Sequence, residues 1–162
     1  MLNHGFGGCT AEELLYYYPR AVRPYAPKAL IICIGWNDMA FGYSNNEIIA
    51  YISKIFDYAR ADFPGIRLGL CDARPLYKGV GNKQPYFDSV YEFNDMCRCY
   101  CEEHPDCIFI DHASGSMFFE DGCTGDYSKV KADIYIEDKV HMTPDGYKQY
   151  AEFFKEKIKE IL

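Results

Sequence analysis

Three short apolar runs, set between amphipathic stretches of helical period, constrain this chain most. Ala29-Leu30-Ile31-Ile32-Cys33-Ile34 has no polar alternation. It predicts a strand buried on both faces, as in a parallel sheet, with Gly35 ending it. Arg67-Leu68-Gly69-Leu70-Cys71 and Cys107-Ile108-Phe109-Ile110 predict two further strands. Between the first two, Ile48, Ile52, Ile55, Phe56 and Ala59 recur at helical spacing behind a Ser44 cap, up to the stop Phe63-Pro64-Gly65. A second helix is expected from about Phe87 to Glu103. Thr143-Pro144 opens the last one, with Tyr147, Tyr150, Ala151, Phe154, Ile158 and Ile161 as its apolar face. Near the start, Thr10-Ala11-Glu12-Glu13 is a capping box that opens a helix directly after Gly7-Gly8. That helix is expected to end near Pro19, with a short turn around Ala21 to Tyr25. Strands alternating with helices imply a parallel α/β sheet covered on both faces, and ligands gather at the carboxyl ends of such strands.

Charge and length exclude several classes. The 162 residues suit a single domain with one core, and the net charge of -7 argues against nucleic acid or an anionic membrane as partner. The longest apolar run is too short to span a bilayer. Met1-Leu2-Asn3-His4 lacks the basic and apolar regions of a secretory leader, so the visible chain gives a cytoplasmic location only by default, and residues upstream would leave secretion open. The 15 tyrosines and 11 phenylalanines raise the idea of a sugar-stacking groove, although most are explained as core and amphipathic surface.

The eight cysteines fall within strand and helix patterns, as reduced thiols would. Of Cys97, Cys99 and Cys101, only the first and third share a helix face, and both read as small buried hydrophobes. His4, Asp38, Asp72, His112, Asp138 and His141 all fall near strand carboxyl ends, where mixed ligands could bind a divalent ion. None of them has the spacing of a metal-binding helix, and no metal or cofactor is expected.

Chemistry concentrates at three places. Asp138 and His141 are three residues apart, so that in a turn the carboxylate can hold one imidazole nitrogen and leave the other as a base. Asn37 can offer a side-chain amide to an oxyanion, and the Gly8 N–H, beside a helix start, can offer another. Singly, Asp138 and His141 also suit a solvated turn, Asn37-Asp38 an Asx turn closing the strand, and Gly7-Gly8 a tight turn with no ligand. The irregular segments Asp72 to Pro85 and Ala113 to Lys131 are where substrate contacts are expected.

In order, the blocks Asn3-His4-Gly5-Phe6-Gly7-Gly8, Gly35-Trp36-Asn37-Asp38 and Asp138-Lys139-Val140-His141, the last followed by Thr143-Pro144-Asp145-Gly146-Tyr147, resemble the SGNH hydrolases, or GDSL-type esterases and lipases. The resemblance runs over residues 1 to 162. It implies a flavodoxin-like three-layer α/β/α sandwich and ester hydrolysis through a serine acyl-enzyme. It also implies Gly8 and Asn37 as oxyanion donors, His141 as general base, Asp138 as its orienting partner, and a small-molecule or carbohydrate ester as substrate.

The family's Gly-Asp-Ser block, whose serine is the nucleophile, has no counterpart. Ser44, Ser53, Ser89, Ser114, Ser116 and Ser128 all lie in other contexts. Cys9, a thiol at a helix N-terminus, is weighed as a substitute, but its matched family position points away from nucleophile duty. The expectation is an N-terminally incomplete domain: Met1-Leu2 is the tail of a second strand, the first strand is missing, and the chain is inactive without its serine. Missing a central strand, residues 1 to 162 should fold poorly alone. The alternative is a non-catalytic module of the same fold that binds carbohydrate or a protein.

Overall fold

The computed structural model describes residues 2–77, 84–159 and 161. Helix α1 (Ala11–Ala21) starts where the capping box places it. Thr10 Oγ1 accepts from the Glu13 N–H, and the Glu13 carboxylate accepts from the Thr10 N–H at 3.1 Å. It does not stop at Pro19. The proline lies inside the last turn, where only a few hydrogen bonds remain to be lost, and a 3-10 turn follows at Arg23–Tyr25.

Strand β1 (Ala29–Ile32) leads through Gly35 into a short helix α2 (Trp36–Phe41), and then into α3 (Asn45–Asp62), capped by Ser44. The expected stripe Ile48, Ile52, Ile55, Phe56 and Ala59 is fully buried. Each of its larger side chains contributes about 1.5–3 kcal/mol by leaving water. Strand β2 (Arg67–Cys71), helix α4 (Gln84–Glu103), strand β3 (Cys107–Ile110) and helix α5 (Pro144–Lys157) complete the order. Thr143 caps α5 by accepting from the Gly146 N–H at 3.0 Å.

The sheet is parallel, in the order β1-β2-β3, with Ile31 opposite Gly69 and Gly69 opposite Ile108. One face carries Leu30, Ile32, Leu68 and Leu70 into a core shared with α1, α3 and α4. The other carries Ile31, Cys71 and Ile110 against Phe154, Ile158 and Ile161 of α5 and the segment after it. Gly69 makes that second contact possible, because a Cβ there would stand 2.6 Å from Ile161 Cδ1. Helices on both faces of a parallel sheet give the three-layer arrangement expected.

Several boundaries differ from expectation. β1 ends at Ile32 rather than Ile34, because Gly35 adopts φ 126° and the chain turns into α2. Ala29, Leu30 and Ile31 are only half-buried, because among the described residues β1 pairs on one side alone. Leu2 is exposed and belongs to no strand, while Met1 lies outside the described residues. Tyr147 and Ala151, expected on the apolar face of α5, are exposed, and Phe153 is turned inward in their place. Of the loop from Asp72 to Pro85, residues 78–83 lie outside the described residues.

Candidate active site

The Asp138–His141 pair is built by a tight turn. Ile136 N–H donates to the His141 carbonyl and Thr143 N–H to the Ile134 carbonyl, each at 2.9 Å, and Tyr135 and Met142 form an antiparallel bridge. Lys139 takes φ 64° at the apex. Within this turn one Asp138 oxygen accepts the N–H groups of Val140 and His141, both at 2.8 Å, while the other faces His141 Nδ1 at 2.6 Å. Donors on both oxygens, His141 first among them, hold the Asp138 carboxyl down at about 2. A carboxylate on Nδ1 fixes the proton there and leaves Nε2 with its lone pair free to act as a base. His141 is exposed, so that nitrogen is reachable.

Gly8 and Asn37 meet through Cys9. Gly8 turns the chain at φ 78°, Cys9 N–H closes the turn onto the Phe6 carbonyl at 3.3 Å, and Asn37 Nδ2 donates to the Cys9 carbonyl at 3.0 Å. One amide proton is used in that bond and a second remains. Asp38, the next residue, is fully buried and accepts from the Ala11 N–H at 2.7 Å. Burial raises its pKa. Asn37 and Asp38 therefore sit in the first turn of α2, not in the Asx turn that the sequence also allowed, and between them they pin the start of α1.

The helix carrying Asn37 and the turn carrying His141 are joined by a residue that sequence reasoning passed over. The Arg74 carbonyl accepts from Trp36 Nε1 at 2.9 Å, and Arg74 Nη2 donates to the Val140 carbonyl at 2.9 Å. The guanidinium also lies 5.8 Å from the centre of the Tyr135 ring, and the Tyr135 hydroxyl donates to the Pro75 carbonyl. Thus the segment after β2 ties α2 to the turn carrying His141. An arginine two residues beyond a strand-end aspartate was the available signal, but no spacing rule attaches a role to it.

Other candidates fall elsewhere. Burial, followed by the charges of Glu13 and Asp38, pushes the Cys9 thiol up to about 11, the reverse of the lowered value expected beside a helix N-terminus. It remains a neutral thiol donating to the Thr10 carbonyl at 3.4 Å. Asp72 and His112 are buried at the ends of β2 and β3, and Asp72 accepts from the His112 N–H at 2.6 Å and the Ala113 N–H at 3.1 Å. His4 lies against the Tyr25 ring, 4.3 Å between centroids. Cys97 and Cys101 are buried, as their shared helix face implied, and Cys99 is exposed. Among the described residues, no helix is long and apolar enough to cross a membrane.

The model of the GDSL-like lipase/acylhydrolase family matches residues 1–149. Among solved structures, a GDSL-like lipase from Bacteroides thetaiotaomicron superposes with a TM-score of 0.75 at 20% identity, over 96% of this chain and 73% of that one. An acetylxylan esterase from Geobacillus stearothermophilus superposes with a TM-score of 0.67 at 18% identity, over 94% and 68%. At such identities the likeness speaks to the fold. No match is found among curated proteins.

Proposed function

Because this chain belongs to the GDSL-like lipase/acylhydrolase family, we propose that it forms the acid–base and oxyanion half of a carboxylic ester hydrolase, with His141 as general base. The observation that carries this reading is the Asp138–His141 pair at 2.6 Å, caged by two backbone N–H groups. The nucleophile is a serine outside these residues, since no serine here stands in a Gly-Asp-Ser setting. A strand carrying that serine would pair with the open edge of β1, whose half-exposed apolar side chains suit such a neighbour.

The serine hydroxyl gives its proton to His141 Nε2 as its oxygen bonds to the acyl carbon. The carbonyl oxygen becomes an oxyanion held by the Gly8 N–H and the second Asn37 amide proton, each such donor worth about 3–4 kcal/mol. Collapse expels the alcohol, which takes the proton from Nε2. Water then repeats the sequence on the acyl-enzyme, and Asp138 stabilises the imidazolium each time it forms. The substrate class is a small or carbohydrate ester.

The test joins residues 1–162 to a preceding strand–Gly-Asp-Ser–helix block and follows hydrolysis of p-nitrophenyl acetate. Release of nitrophenol that His141→Ala abolishes supports the proposal. Undiminished release in His141→Ala overturns it.

A further inference from the structure

We infer that Cys33, Cys71 and His112 form a binding site for a single thiophilic divalent ion of the zinc class, separate from the Asp138–His141 pair. The two sulfurs and an imidazole nitrogen all lie within 4.8 Å of one another. This convergence is a product of the sheet. Alternate residues point to one face, so Cys33 follows Ile31, Cys71 follows Gly69 and His112 follows Ile110 onto the side covered by α5. Three adjacent parallel strands thus each deliver one ligand at their carboxyl ends.

A second observation is independent of that spacing. His112 Nδ1 faces the Asp72 carbonyl at 3.3 Å, an oxygen that can only accept, so the proton resides on Nδ1 and Nε2 presents its lone pair. A histidine whose other nitrogen donates to a backbone carbonyl is the usual arrangement behind a metal ligand. Nε2 meets the Tyr150 hydroxyl at 3.2 Å.

Two thiolates and one imidazole are a donor set suited to zinc, with a fourth position for water or the Tyr150 oxygen. Binding releases one proton from each thiol and leaves a Zn(S)2(N) centre, with no change in oxidation state. Zn–S bonds of about 2.3 Å at a tetrahedral angle require sulfurs about 3.8 Å apart. The present separation is 2.8 Å, and Cys33, being exposed, is free to open that gap and to admit the ion.

The test uses the reduced, metal-free protein, residues 1–162 joined to the preceding strand–Gly-Asp-Ser–helix block and shown to be folded by circular dichroism, titrated with cobalt(II), then competed with zinc. The expected result is one equivalent bound, with a sulfur-to-cobalt charge-transfer band and tetrahedral visible bands that zinc removes. Cys33→Ser, at an exposed position, should weaken binding by at least about tenfold, the scale on which even outer-shell partners act. His112→Gln should do the same, with folding checked by circular dichroism. Cys99→Ser, remote from the site, should bind as the parent does. Absence of a thiolate band, a band that survives in Cys33→Ser, or recovery of Cys33 and Cys71 as a disulfide from the reduced preparation would each overturn the inference.

Discussion

Arg74 reaches from the end of β2 to the Val140 carbonyl, 2.9 Å away, and so fixes the residue next to His141 from outside its own turn. Replacing it with alanine removes that bond and the contact with the Tyr135 ring. Arg74→Ala should lower stability by about 1.5–3 kcal/mol, the range for a hydrogen bond made by a charged group. Thermal melting of the two proteins gives the answer. An unchanged midpoint would show that the His141 turn holds itself.

The Asp138 carboxyl, held at about 2 chiefly by His141, contributes stability with a definite sign. A depressed carboxyl stabilises the folded chain fully above its ordinary value of 3.8, and the contribution fades as pH falls through about 2. Asp138→Asn should therefore melt below the parent by a constant margin from pH 7 to about 4, and the margin should close below that. A margin that widens in acid contradicts the assignment.

Two glycines separate backbone strain from packing. A Cβ at Gly8 would meet nothing within 4 Å, so Gly8→Ala bears only the cost of its φ of 78°. That is about 1–2 kcal/mol. At Gly35, with φ 126°, the same atom would stand 2.8 Å from two carbons of the buried Phe93 ring. Overpacking adds about 1–3 kcal/mol to strain of similar size, so Gly35→Ala should be the more damaging change. Chemical denaturation ranks the two, and a reversed order would count against the packing described.

Cys9, pushed up to about 11, should resist alkylation. At pH 8.5 iodoacetamide should label it at least about tenfold more slowly than the exposed Cys99, because the thiolate is the reactive form. Peptide mass spectrometry over time reads both sites. Equal rates would return Cys9 to consideration as a nucleophile.

Local patterns carried most of this architecture. The capping boxes at Thr10 and Ser44, the Thr143-Pro144 start and the stripe from Ile48 to Ala59 each depend on neighbours a few residues away, and each lies where the pattern put it. The Asp138–His141 contact was legible for the same reason, being closed inside one turn. What escaped depends on partners distant in sequence. Arg74 acts on Val140 across 66 positions, and Asp38 turns inward to an N–H 27 positions away. The half-exposure of β1 likewise comes from which strands flank it, and its apolar run could not report that.

That edge has a consequence for handling the protein. Along Ala29–Ile32 a row of backbone donors and acceptors faces away from β2, in a stretch without charge or proline. Such a segment is a template for like segments of other molecules, stacking in register as fibrils do. Concentrated solutions of these 162 residues should seed cross-β assembly from this strand.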